Sequence, residues 1–216
     1  MTLVANYFLR TIKNSCISLI SILIVSSCAT KKPTATDKFL EASITHESIA
    51  VLPFIMHSQS LRSDINEQVT KPVDVIYYAR TGGKLDGEFM QRRTFMNLAK
   101  KVKKGKLELV IQSFIDTNQR VKEAGISSEM LSYINKGDLA KKLNVDAVLY
   151  GESIVDQGNF ASDDLGGIRT HLWLYDARSH EVLWDKEIEQ KFNTIDERPE
   201  RAVSIIIDKL MKLLPY

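Results

Sequence analysis

The stretch VDAVLYG, Val145–Gly151, is apolar at odd and even positions alike. A strand points successive side chains to opposite faces. A strand that is apolar throughout therefore needs cover on both faces, which places it at the centre of a sheet.

Two more strands precede it. SIAVLPF (Ser48–Phe54) is a continuous apolar run ending at Pro53, whose missing N–H stops a ladder. LELVIQ (Leu107–Gln112) alternates, with Leu107, Leu109 and Ile111 on one face. Between these two the pattern is helical from Leu85 to Val102, with Asp86 as the N-cap, lysines near the C-terminal end and Gly105 beyond it. Asp116 with Gln119 resembles a capping box for a second helix. Ser127 to Ile134 adds a turn, and Asp138 caps DLAKKL, with Asn144 as its left-handed exit.

IRTHLWLYDA and EVLWDKEIEQ read as a hairpin joined through Arg178-Ser179. An even-numbered loop would set Trp173 and Trp184 opposite each other, beside Tyr175 and Val182. Pro199 opens a last helix with Ala202, Val203, Ile206, Leu210 and Leu213 on its core face. Parallel strands need helical crossovers, so the expected fold is α/β: one domain with a mixed sheet of about four to five strands. The first three strands supply its parallel part, the hairpin its antiparallel end, and helices pack on it.

Residues 57–84 carry no clear period but hold Val73, Val75, Ile76, Tyr77 and Tyr78. Structureless loops of this length are uncommon in compact domains. Two readings stand: an edge strand on the sheet, or a docking segment in which Val73, Ile76, Tyr77 and Tyr78 meet a partner.

The N-terminus speaks about location. The apolar run Ile17–Val25 is shorter than the roughly 20 residues a membrane span needs. Arg10 and Lys13 precede it and no acid occurs before Cys28, the pattern of a secretory signal. Val25-Ser26-Ser27-Cys28 resembles a bacterial lipobox. The resemblance implies diacylglyceryl modification of the Cys28 thiol, cleavage before it, and a membrane anchor through the acylated residue. Ala29, in place of Asp, resembles the outer-membrane sorting default, with the chain facing the periplasm. The expected organisation is a signal at 1–27, a polar tether at 28–45 and a domain at 46–216.

Composition then narrows the functions. The chain's formal charge is +2, and residues 1–27 carry two basic residues and no acids, so the remainder is balanced at 2 − 2 = 0. A balanced chain offers no electrostatic case for nucleic acid. Cys16 leaves with the signal and Cys28 becomes a thioether, so neither disulfide nor thiolate chemistry is expected.

TGGKLDG (Thr81–Gly87) lacks phosphate-loop spacing and reads as a loop and helix cap. His46, His57, His171 and His180 show no metal-ligand spacing. Asp156, Asn159, Asp163 and Asp164 lack the EF-hand spacing and read as a solvated turn. No Gly-x-Ser-x-Gly elbow occurs. The expectation is a non-enzyme without metal or cofactor, with a hydrolase as the outside alternative.

SIAVLPF, DLAKKLNVDAVLYGE (Asp138–Glu152) and LYDARSHEVLWDKEIE (Leu174–Glu189) together resemble a group of bacterial envelope domains. The group comprises the curli-secretion lipoprotein CsgG, the penicillin-binding-protein activator LpoB and the N-terminal domain of TolB. IQSFIDTNQRVKEAGI (Ile111–Ile126) resembles a segment of uncharacterised envelope proteins. Asn144 stands where these families usually have Gly, and Ser179-His180 where they often have Thr-Gly. No amphipathic membrane hairpin of the channel kind is evident. The resemblance implies an envelope binding or scaffolding protein with a protein partner. It also admits a homo-oligomeric secretion component, or an activator of peptidoglycan synthesis. A tether of about 17 residues reaches only roughly 20–25 Å, which disfavours the activator.

Overall fold

The computed structural model describes residues 46–62, 67–78, 83–158, 165–194 and 197–216. The signal, the tether and Cys28 lie outside the described residues.

The long strand β7 (Ala147–Asp156) is the axis of the sheet. On one side it pairs antiparallel along its whole length with β8 (Gly167–Asp176), which pairs with β9 (Val182–Lys191). On the other side lie two parallel strands end to end: β1 (Ser48–Val51) against Ala147–Leu149, and β2 (Ile55–Arg62) against Glu152–Asp156. Beyond them, β6 (Val110–Ile111) flanks β1 and β3 (Glu67–Val73) flanks β2. A separate two-stranded sheet pairs β4 (Val75–Tyr78) with β5 (Gly83–Asp86).

The fold class is the expected one, a mixed α/β sheet in a single domain with a parallel part and a C-terminal hairpin. Among the described residues its main sheet has seven strands rather than four or five. The difference comes from β2 and β3, between residues 55 and 73, where no period is legible. Pro53 does interrupt the ladder, but the chain resumes as β2 beside the same β7 and turns back as β3. Tight packing fixes the interruption. The Phe54 N–H donates to the Gly87 carbonyl at 3.2 Å. A Cβ on Gly87 would stand 1.9 Å from the Phe54 carbonyl oxygen, and one on Gly151 would stand 2.3 Å from the Phe54 ring. Only glycine lets helix start, strand break and central strand meet this closely.

Helices cover both faces. On the first, α1 (Gly87–Lys103) and α5 (Pro199–Leu213) bury Met90, Leu98, Ala202, Val203, Ile206 and Leu210 against Ile49, Val51, Leu149, Leu174 and Trp184. On the second, α2 (Phe114–Glu123), α3 (Ser128–Tyr133) and α4 (Lys136–Leu143) bury Val121, Leu131, Leu139 and Leu143 against Ala50, Leu52, Val148 and Tyr150. Consecutive residues of β1 and β7 thus enter different cores, which is why both strands read as unbroken apolar runs.

Two cap assignments change. Ser113, not Asp116, caps α2, its hydroxyl accepting the Ile115 N–H at 3.2 Å; Asp116 lies in the first turn. Asn135, not Asp138, caps α4 by accepting the Asp138 N–H at 3.0 Å. Asp86 and Asn144 act as expected, the latter with φ 57°, and Ser127 caps the short helix that follows it. TGGKLDG is part strand, since Gly83–Asp86 forms β5; Thr81 and Gly82 lie outside the described residues.

The hairpin also differs. A bulge between Leu174 and Tyr175 sets Leu174 against Trp184 and Trp173 against Asp185. The two tryptophans therefore occupy opposite faces, Trp184 in the first core and Trp173 on the second face.

Candidate functional site

Among the described residues, helical cover on the second face stops partway along β7. Every residue from Ala147 to Gly151 is buried, and from Glu152 onward the even positions are half-exposed. The neighbouring strands continue this uncovered area. Arg169 and His171 rise from β8, Asp185, Glu187, Glu189 and Lys191 from β9, and His57 from β2, since each shares a face with its cross-strand partner, while Trp173 and Tyr175, opposite Tyr150 and Val148, stay half-buried against the second core.

The aromatic groups form a ladder. The His171 and Trp173 rings stack at 3.8 Å and 23°, and Trp173 lies 5.6 Å from Tyr150 at 28°. The Lys136 ammonium, from the first turn of α4, sits 4.2 Å from the Tyr150 ring centre. It donates to the carbonyls of Ser132 and Ile134 at 3.2 and 3.0 Å. Burial lowers the Lys136 pKa, against the opposing pull of Glu152. Burial raises the Tyr150 and Tyr175 pKa values, with Glu152 adding to each rise. Both phenols therefore stay protonated, and Tyr150 donates to Glu152 at 2.5 Å.

Carboxylates rim the ladder. His171 Nε2 lies 2.9 Å from Asp185, and its Nδ1 lies 4.0 Å from Glu187. His57 Nε2 stands 3.4 Å from Glu152. Among the described residues, no group of three or more metal-ligating side chains is placed to hold an ion. The geometry offers carboxylates facing solvent along a stacked, half-buried aromatic row, which suits recognition of a cationic group.

A second polar cluster lies where the described chain begins. His46 Nε2 donates to Asp176 at 2.8 Å, and its Nδ1 lies 2.6 Å from the Tyr216 hydroxyl. Asp146 accepts from the Glu47 and Ser48 N–H groups and the Ser48 hydroxyl at 2.9–3.0 Å. These groups border an open depression of about 680 Å³ that Lys141 and Arg178 also line. His46, Asp146, Asp176 and Tyr216 are each engaged, and their arrangement is that of a clamp.

The residues singled out in the sequence divide. Cys28 lies outside the described residues. Ile76 is 2% exposed and belongs to the first core, half-buried Val73 packs against that core, and Tyr77 is 70% exposed. The Tyr78 side chain lies outside the described residues, as do Asn159, Asp163 and Asp164. Asp156 accepts the Gly158 N–H at 2.9 Å, a turn contact. The aromatic ladder was not anticipated. Its signal was present, because Arg169, His171, Trp173 and Tyr175 alternate along one strand.

No family model and no curated protein matches the sequence. Solved structures do. The C-terminal domain of LpoB from Salmonella enterica is 11% identical, with 72% of this chain and 91% of that chain covered and a TM-score of 0.39. Lipoprotein GNA1162 from Neisseria meningitidis is 14% identical, with 77% and 96% covered and a TM-score of 0.45. The PelC dodecamer from Paraburkholderia phytofirmans is 12% identical, with 78% and 89% covered and a TM-score of 0.42. At these values no role carries over to this chain.

Proposed function

We propose that this chain is a non-catalytic binding or scaffolding lipoprotein of the bacterial envelope. Acylated Cys28 anchors it in the outer membrane, and its domain faces the periplasm. The observation that carries the binding role is the loss of helical cover on β7 after Gly151, which leaves an aromatic and acidic face open beside a well-filled double core. Two acyl chains provide stable anchoring where one gives only marginal binding.

Two measurements test this reading. Intact mass should show a chain beginning at Cys28 with acyl mass added, and Cys28→Ala should move the protein out of the membrane fraction. Retention of Cys28→Ala by a hydrophobic anchor would sink the lipoprotein reading. Capture from detergent extracts of the envelope should return a protein partner, and recovery of the chain alone would remove the scaffolding role.

A further inference from the structure

The uncovered face has a charge of its own. Glu152, Asp156, Asp185, Glu187 and Glu189 share it with the cations Arg169, Lys136 and Lys191, the last standing two places beyond Glu189 on β9 and opposite Gly167. Lys136 is held by two carbonyls, and Arg169 stands opposite Glu189. The whole chain has a formal charge of +2, so this local acidity is not an average property of the molecule.

The carboxylates are also ordered. Asp185, Glu187 and Glu189 occupy alternate positions of β9, all exposed. Alternate residues of a strand repeat at roughly 6.6 Å. An extended peptide with a cation at every second residue has the same repeat. Arginine suits the place better than lysine, because its planar fork pairs with carboxylates and lies against aromatic rings.

We propose that the open face of β7–β9 docks an extended, arginine-bearing segment of a protein partner. Its cations lie along the Asp185–Glu187–Glu189 row and beside the His171–Trp173 ladder. This rests on the binding role proposed above and names the chemistry of the partner.

The test uses the full chain in detergent and a fluorescein-labelled decapeptide of alternating arginine and serine, with citrulline for arginine as the uncharged control. The triple variant Asp185→Asn, Glu187→Gln, Glu189→Gln should weaken peptide binding about ten-fold, from three partly screened pairs. Trp173→Leu should weaken it about three-fold, by loss of ring contact. A matched triple variant away from the face, Glu108→Gln, Glu123→Gln, Asp208→Asn, should change it less than two-fold. Melting curves confirm that each variant is folded.

Equal losses in the two triple variants would reduce the effect to net charge and overturn the proposal. So would equal binding of the citrulline peptide. Envelope capture separates the two ideas. A partner retained by the Asp185/Glu187/Glu189 variant keeps the scaffolding role and overturns this face as its site. Face-dependent peptide binding with no captured protein keeps the site chemistry and overturns the scaffolding role.

Discussion

Phe54 shows how much of this structure is decided by single atoms. Its ring and carbonyl lie where Gly151 and Gly87 leave no room for a methyl group. Gly151→Ala forces the ring to move, and overpacking of this kind costs about 1–3 kcal/mol. Denaturant unfolding should show that loss, and Phe54→Leu in the same chain should recover part of it, because the two sites touch. Additive losses would mean that the ring does not fill this place. Neither glycine stands out in the sequence, since close approach depends on what the fold brings opposite. The caps were half legible for a similar reason. Ser113 and Asp116 are both good capping residues three apart, and only the direction of the incoming chain decides between them.

At the scale of elements, periodicity was informative wherever an element met a core. The strand at Val145–Gly151, the helix after Asp86 and the core face after Pro199 were all readable, because burial on known sides writes a pattern. Residues 55–78 were not, because β2 is polar from His57 to Ser60, β3 is the edge strand beyond it, and β4 buries only part of one side. The hairpin register was lost for another reason. A bulge shifts pairing by one residue and sends a side chain to the other face, so Trp173 and Trp184 part.

The strand β4 carries a testable division. Ile76 is buried beside Leu85, whereas its neighbour Tyr77 is 70% exposed. Ile76→Ala should cost about 2–5 kcal/mol. Tyr77→Ala should stay within about 0.5 kcal/mol. A reversal in thermal or chemical melts would put this small sheet the other way up.

The whole molecule is closed by the clamp of His46, Asp176 and Tyr216, which joins the first described residue to the last. Burial pushes the Asp176 carboxyl up, but the Ser179 N–H and His46 more than offset this and hold it below its ordinary 3.8. Asp146 is likewise held below 3.8, its bonds from Ser48 and Glu47 outweighing burial. A carboxyl depressed by folding stabilises the native state above its unfolded pKa and loses that contribution as pH falls through the folded value. Melting temperature should therefore fall as pH drops below about 4. Asp176→Asn should melt lower at neutral pH and show a shallower acid decline. An acid limb unchanged by that substitution would remove Asp176 from the account. The clamp was hidden in the sequence because its three residues are 130 to 170 positions apart in their pairings. It also has a mechanical meaning. Tension applied at His46 meets two hydrogen bonds before it reaches β1, and one of them leads to the chain's far end just beyond α5. A pull on the leading end is thereby shared with the trailing one, and the first link to give is a pair of side-chain bonds rather than the sheet itself.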